Sequence, residues 1–300
     1  MKLTGLHILL TYQCNLECDH CFVWGGQWQE GTMTLPQLRD VLRQAKDLGT
    51  VSTIYFEGGE PSLYYATMLK GIQEAAAMGF NVGIVSNGYW AISEEDALAY
   101  LAPLRGLIYD LSISSDMYHW FEQLGENVKN IEKVAEELEI PIGVISIAQP
   151  EDVNAASVVG TLPPGESGIM YRGRAAVKLV DKAEKHPWEQ FTECPYEDLV
   201  EPGRVHLDPL GYLHICQGIS IGNLFETPLS EITTKYDPEA HPIVGPLLEE
   251  GPVGLVKRYD LPHENGYADA CHLCYEMRLA LRDRFPDVLT PDQMYMVVGE

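Results

Sequence analysis

GLHILLTYQCNLECDHC, residues 5–21, runs an apolar segment straight into three cysteines at positions 14, 18 and 21. A short apolar run of this length reads as a buried strand over 5–11. The three cysteines then fall in the loop at that strand's carboxyl end. Working outward, a strand-then-helix alternation repeats along the first half of the chain. Further strands are read at 52–58 (STIYFEG), 81–87 (NVGIVSN), 107–114 (LIYDLSIS) and 142–148 (IGVISIA), and a sixth is expected at 167–171 (SGIMY). Between them, apolar residues recur at helical spacing over 35–48, 63–79, 93–104 and 127–138. Ser93 ahead of Glu94, Glu95 and Asp96 marks a helix start, with acids at the positive end of the dipole. Such repetition predicts an α/β fold, a partial (β/α)6 TIM-like barrel, with ligands at the carboxyl ends of the strands.

Composition narrows the function. The 300 residues are 46% hydrophobic and 21% charged, enough to bury a full core. Lys and Arg total 20 against 44 Asp and Glu, a formal net charge of −24. A chain this acidic repels phosphate backbones, which argues against a broad nucleic-acid-binding surface. No apolar run reaches the ~20 residues of a membrane helix, and no signal-peptide cleavage pattern precedes the first strand. A cytoplasmic protein without membrane partners is expected.

Beyond position 171 the pattern changes. Residues 204–216, RVHLDPLGYLHIC, read as two strands around an Asp208-Pro209-Leu210-Gly211 turn. Residues 229–236 look helical, 237–268 are too rich in Pro and Gly to assign, and 275–285 form a helix that Pro286 ends. A boundary near 172/173 is expected, with a small hairpin-and-helix domain following the barrel. His206 and His214 on the hairpin are read as surface residues.

The seven cysteines divide into the N-terminal three and a dispersed four, Cys194, Cys216, Cys271 and Cys274. An odd count argues against a disulfide framework. For the triplet, a zinc knuckle short of a ligand and free thiols are both open readings. The third is a [4Fe–4S] cluster with one iron lacking a protein ligand, a place where a small molecule can coordinate. The C-terminal four suffice to ligate a second cluster fully, or a structural zinc ion.

The triplet Cys14-x3-Cys18-x-His20-Cys21 resembles the signature of the radical S-adenosylmethionine superfamily, with His20 where an aromatic residue is usual. Glu57-Gly58-Gly59-Glu60-Pro61 after the second strand is similar to that family's GGEP motif, and Ser86-Asn87-Gly88 to its ribose-side segment. The resemblance implies that Glu60 holds the methionyl amine and that Gly58 and Gly59 let backbone approach the ligand. It further implies that Ser86, Asn87, Ser112 and Ser114 contact ribose or carboxylate, while Val144 and Ile145 wall the adenine. The implied cofactors are a [4Fe–4S] cluster and S-adenosyl-L-methionine, reduced by a donor such as flavodoxin or ferredoxin. The implied chemistry is a 5′-deoxyadenosyl radical that abstracts a substrate hydrogen.

The four C-terminal cysteines, with the Cys271-x2-Cys274 pair, resemble the Twitch form of the SPASM extensions, which implies one auxiliary [4Fe–4S] cluster and net oxidation or bond formation. Arg172 and Arg174, after the sixth strand, are expected at the barrel mouth as substrate-facing catalytic groups, although a salt bridge is the blander role for at least one. Asp116, Tyr118, His119, Trp120, Trp24, Trp28, Tyr89 and Trp90 occupy strand-end loops too, where an aromatic is more often packing than binding. The substrate is expected to be a small alcohol- or sugar-like metabolite. The alternative is a ribosomal peptide served by a separate leader-binding partner, because the first strand begins at once. A non-catalytic iron–sulfur or zinc protein is the remaining class.

Overall fold

A computed structural model describes residues 1–119, 122–153 and 165–296. One eight-stranded sheet organises it, in the order β5-β4-β3-β2-β1-β7-β8-β9. Strands β1 (Leu3–Leu9), β2 (Thr53–Glu57), β3 (Asn81–Ser86), β4 (Asp110–Ser114) and β5 (Ile142–Ile145) are mutually parallel. Helices α1 (Leu35–Leu48), α2 (Tyr65–Ala77), α3 (Glu94–Leu101) and α4 (Glu122–Leu138) connect them, as a parallel sheet requires. The mixed α/β architecture agrees with the partial-barrel expectation.

Local chemistry explains the elements. Thr34 caps α1 with a full capping box to Gln37, and Gly49 closes it in the left-handed region at φ 75°. Ser93 accepts from the Asp96 N–H at the start of α3. Along the strands, alternate side chains take opposite faces. Leu6, Ile8, Ile54, Phe56, Ile84 and Leu111 enter one fully buried core with Leu38, Leu42 and Ile72 of the helices. The other face carries His7, Tyr55, Glu57, Asp110, Ser112 and His206, a polar lumen in place of a second oily layer.

The sixth strand does not form. Ser167 makes a single parallel bridge to Ile147, and residues 168–171 after it have no ladder. The second neighbour of β1, opposite β2, is β7 (Gly203–Leu207), parallel and in register His7 with His206. β7 turns at Asp208–Gly211 into β8 (Tyr212–Cys216), then β9 (Ile219–Asn223), both antiparallel. The hairpin is where the sequence placed it, yet it extends the main sheet. His206 and His214 are therefore buried and not on the surface. His214 Nε2 pairs with Asp208 at 3.0 Å, and the Tyr12 hydroxyl donates to the same carboxylate at 2.7 Å.

The strand pair β6 (His186–Pro187) and β10 (Gly266–Tyr267) stands apart. After the short helices α5 (Ala175–Lys178) and α6 (Leu229–Lys235), the segment 237–268 contains α7 (Val244–Tyr259). Glu250 and Gly251 leave helical geometry in its middle, ahead of Pro252, so the sequence shows no unbroken period there. Helix α8 (Ala270–Leu281) starts earlier than the sequence indicated, capped by the Asp269 carboxylate accepting from the His272 N–H at 2.7 Å. A second core joins Trp24, Tyr12 and Ile215 to Leu255, Leu273 and Tyr275. No helix among the described residues is long and apolar enough to cross a membrane.

Candidate functional site

The cysteine loop leaves β1 and is knitted by backbone bonds to its own return limb. Cys14 N–H donates to the Gly26 carbonyl at 3.1 Å, and Tyr12 N–H to Gly31 at 3.0 Å. Cys14, Cys18 and Cys21 all line one cleft of about 880 Å³, measured to its open mouth. Two backbone N–H groups point at sulfur: Leu16 to Cys14 Sγ at 3.4 Å and Gly25 to Cys21 Sγ at 3.2 Å. Such donors favour a thiolate and a cluster-bound sulfur. Without a cation, burial pushes the Cys14 thiol up to about 12 and the Cys18 thiol up as well. The donor set fits a positively charged iron centre that takes thiolates and releases their protons.

Gly58 and Gly59, at the end of β2, line the same cleft. A Cβ on Gly59 would sit 2.1 Å from the Gln13 carbonyl oxygen, so only glycine lets the two loops close. Gly59 N–H donates to Thr11 at 2.7 Å and Glu60 N–H to Gln13 at 2.8 Å, which locks the motif to the cysteine loop. Gly59→Ala is expected to lose about 2–3 kcal/mol of stability through overpacking and to weaken the S-adenosylmethionine binding that the sequence resemblance implies. Chemical denaturation and equilibrium dialysis check both.

Glu60 is fully buried and does not line the cleft. Its carboxylate accepts from Ser62 N–H (3.0 Å), Ser86 Oγ (2.9 Å) and Asn87 N–H (2.8 Å). Burial raises its pKa, against these donors. Glu60 thus fixes the turn that presents Ser86 and Asn87, which do line the cleft with Ser114 and Ile145. Ser112 points down the lumen and donates to Asp110 at 2.8 Å, and Val144 is half exposed, so neither lines it. His20 lines the cleft, stacked on Tyr118 at 4.5 Å. Burial lowers its pKa to about 4, leaving it neutral. Trp24 and Trp90 pack elsewhere: Trp24 Nε1 donates to Tyr275 Oη at 3.1 Å, and Trp90 stacks on Tyr100 at 3.6 Å. Trp120 lies outside the described residues.

The two arginines separate from each other and from the cleft. Arg174 is buried beneath the cysteine loop, its guanidinium donating to the carbonyls of Cys18 (2.9 Å) and Gly25 (2.6 Å), over the Trp24 ring. Arg172 joins the C-terminal cysteines, with Nη1 3.1 Å from Glu197 and 3.7 Å from Cys216 Sγ. Gly173 between them has φ 58°, and a Cβ there would meet the Phe22 carbonyl at 2.6 Å.

Cys194, Cys216, Cys271 and Cys274 converge on one pocket of about 440 Å³, although the first and last are 80 positions apart. Cys216 ends β8, while Cys271 and Cys274 occupy the first turn of α8, three apart and so on one face. The positive end of that helix favours thiolates. Arg172 and Arg278 line the same pocket. Sequence reasoning missed Arg278, for which a lone arginine inside a helix gives no signal. It also gave no role to Glu57, which lines the N-terminal cleft.

Residues 8–147 match the family model of the Radical SAM superfamily. The putative peptide biosynthesis protein YydG of Bacillus subtilis is 27% identical over 125 residues, 41% of this chain and 39% of YydG. The tungsten-containing aldehyde ferredoxin oxidoreductase cofactor-modifying protein of Pyrococcus furiosus is 31% identical over 100 residues, 33% of this chain and 27% of that protein. The chain therefore spans well under half the length of these curated relatives. Among solved structures, Streptococcus suis SuiB bound to precursor peptide SuiA aligns with a TM-score of 0.48 and 15% identity, covering 90% of this chain and 76% of SuiB. The thiolate loop, its glycine partner and the matched segment coincide in one place: residues 8–147 match the radical SAM superfamily, and that family's [4Fe–4S] cluster and S-adenosylmethionine suit the cleft at Cys14, Cys18 and Cys21.

Proposed function

We propose that this radical SAM enzyme works as an oxidoreductase-type catalyst with two redox centres: a cluster on Cys14, Cys18 and Cys21, and an auxiliary [4Fe–4S] cluster on Cys194, Cys216, Cys271 and Cys274 in a Twitch-like unit over 173–300. When bound, the first centre and S-adenosylmethionine supply a 5′-deoxyadenosyl radical, and a second centre suits net two-electron oxidation or bond formation. In the cleft, Ser86, Asn87 and Ser114 offer hydrogen bonds to a ribose or carboxylate, and Ile145 offers apolar surface to an adenine. An electron donor such as flavodoxin or ferredoxin serves the first centre.

One observation carries the second centre. Arg278 is 2% exposed, yet it has no ion-pair partner among the described residues; its Nη1 reaches the Gln217 carbonyl (2.6 Å) and the Tyr295 hydroxyl (3.2 Å). Burial works against its charge, while Tyr295, Cys274 and Cys216 favour it. A buried cation without a carboxylate calls for an anion in the adjoining pocket, and four thiolates around a cluster provide one. Spacing favours iron–sulfur over zinc. Sulfurs tetrahedral on one zinc stand about 3.8 Å apart, by the Zn–S length of about 2.3 Å. Among the described residues, no group of three or more ligating atoms within 4.8 Å of one another includes a cysteine.

For the substrate, the likeness to a protein named for peptide biosynthesis favours a ribosomal peptide over the small metabolite expected from sequence. Cys271→Ala tests the two-centre reading. Iron should fall from about eight to about four per chain, while dithionite-driven cleavage of S-adenosylmethionine stays within about threefold and any substrate turnover is lost. Unchanged iron, or zinc in the wild-type protein, would reject the auxiliary cluster.

A further inference from the structure

Among the described residues, two clusters of metal-ligating side chains stand outside the cysteines, and they differ in one decisive respect. His20, Asp116 and His119 bring their ligand atoms together at the rim of the cleft. Asp116 there is already saturated, accepting from His119 Nδ1 (2.7 Å) and from the N–H groups of Tyr118 (3.0 Å), His119 (3.2 Å) and Ile147 (3.3 Å). This is a loop clasp. His7, Glu57 and His206 also place one ligand atom each within 4.8 Å of the others, and their carboxylate is not saturated.

The three come from the adjacent parallel strands β1, β2 and β7. Register sets His7 opposite His206 on one side and Tyr55 on the other, with Glu57 two residues beyond Tyr55 on the same face. Glu57 is 8% exposed and lines the floor of the cleft. Its Oε2 lies 3.2 Å from His7 Nδ1. Its Oε1 faces His206 Nε2 at 3.1 Å, close enough to pair but out of line for a hydrogen bond, and no other donor among the described residues meets it. A buried carboxylate oxygen left in this state is costly unless a cation meets it.

The imidazoles are held ready. His7 stacks on Tyr55 at 4.7 Å and meets His206 edge-on at 5.1 Å, while Phe22 borders His206 at 6.0 Å. The second nitrogen of His206 lies 3.4 Å from the Gln217 side-chain amide, an outer contact of the kind that orients metal-bound histidines.

We propose that His7, Glu57 and His206 bind one divalent first-row metal ion at the floor of the cleft. Two imidazoles and one carboxylate suit the series from manganese to zinc, and three protein ligands leave positions open for an oxygen or nitrogen of a bound molecule. The site is distinct from both thiol sets and stands whether or not the auxiliary cluster exists. It gives a glutamate preceding the two glycines a reason to be there.

Manganese is the probe, because it has little affinity for thiolates. Full-length protein with its clusters reconstituted anaerobically is titrated with Mn²⁺, and the free six-line EPR signal is followed at room temperature. Wild type should remove one equivalent from the free signal. Glu57→Gln and His206→Gln should each weaken that binding at least about tenfold, with Cys-bound iron unchanged as the check on folding. His7→Gln provides a third variant should one of these fail to fold. Wild-type protein that removes no manganese, or variants that bind it as wild type does, would overturn the site and leave His7–Glu57–His206 an ion-paired network only.

Discussion

Replacing Cys14, Cys18 and Cys21 together with alanine is expected to abolish 5′-deoxyadenosine formation under dithionite and to lower iron from about eight to about four per chain. The argument is geometric. These three thiols line the cleft beside Gly58 and Gly59, and the C-terminal four occupy a separate pocket around Arg172 and Arg278. Losing one set should leave the other loaded. Iron and sulfide analysis with EPR reads both outcomes at once. Iron that fell to none would mean that the C-terminal cysteines hold no cluster in either protein. Continued cleavage would place the reaction elsewhere than the cleft.

The second large effect is expected from Arg174→Ala. This side chain touches neither cleft nor pocket; it acts by holding the Cys18 and Gly25 carbonyls from beneath. Removing it strands two buried acceptors at about 1–3 kcal/mol each, so about 3 kcal/mol of stability should go. The larger consequence is for the loop. A displacement of about 1 Å at a reacting centre can cost about 100-fold in rate, and cleavage of S-adenosylmethionine should fall by that order while the C-terminal iron stays. Arg174→Lys should recover little, because an ammonium cannot span two carbonyls in a fixed fork. A variant that kept full N-terminal iron and full cleavage would refute the positioning role.

The residues that could be read in advance were those whose meaning is local. Cys14, Cys18 and Cys21 announce themselves by spacing, Ser93 by the acids after it, and Asp208–Gly211 by turn chemistry. What could not be read depends on distant partners. Nothing near Ser167 says that its strand will stop at one bridge to Ile147, and nothing near Gly203–Leu207 says that it will pair with β1, at the other side of the sheet. That pairing is also what buries His206 and His214, which alternate with apolar neighbours as an exposed hairpin face would. Arg172 and Arg174 read alike on paper and part company only because Gly173 turns the backbone against Phe22. The helix at Val244–Tyr259 was hidden by its own Gly251 and Pro252, which break the period that would have revealed it.

The place of β7 has a consequence for how the chain comes to exist. β1 is made well before one of its two neighbours in the sheet, which arrives 199 positions later, since His206 pairs with His7. Until then a row of its amide and carbonyl groups faces outward with no strand beside it, an invitation to mispairing between nascent chains. Closure over so long a span is slow compared with the local βα units that precede it. The same segment that finishes the barrel's edge also carries β8 and Cys216. Maturation therefore has an order: the cysteine loop at 14–21 is synthesised well before β7, and the sheet beneath it is complete only when the second thiol set begins to assemble.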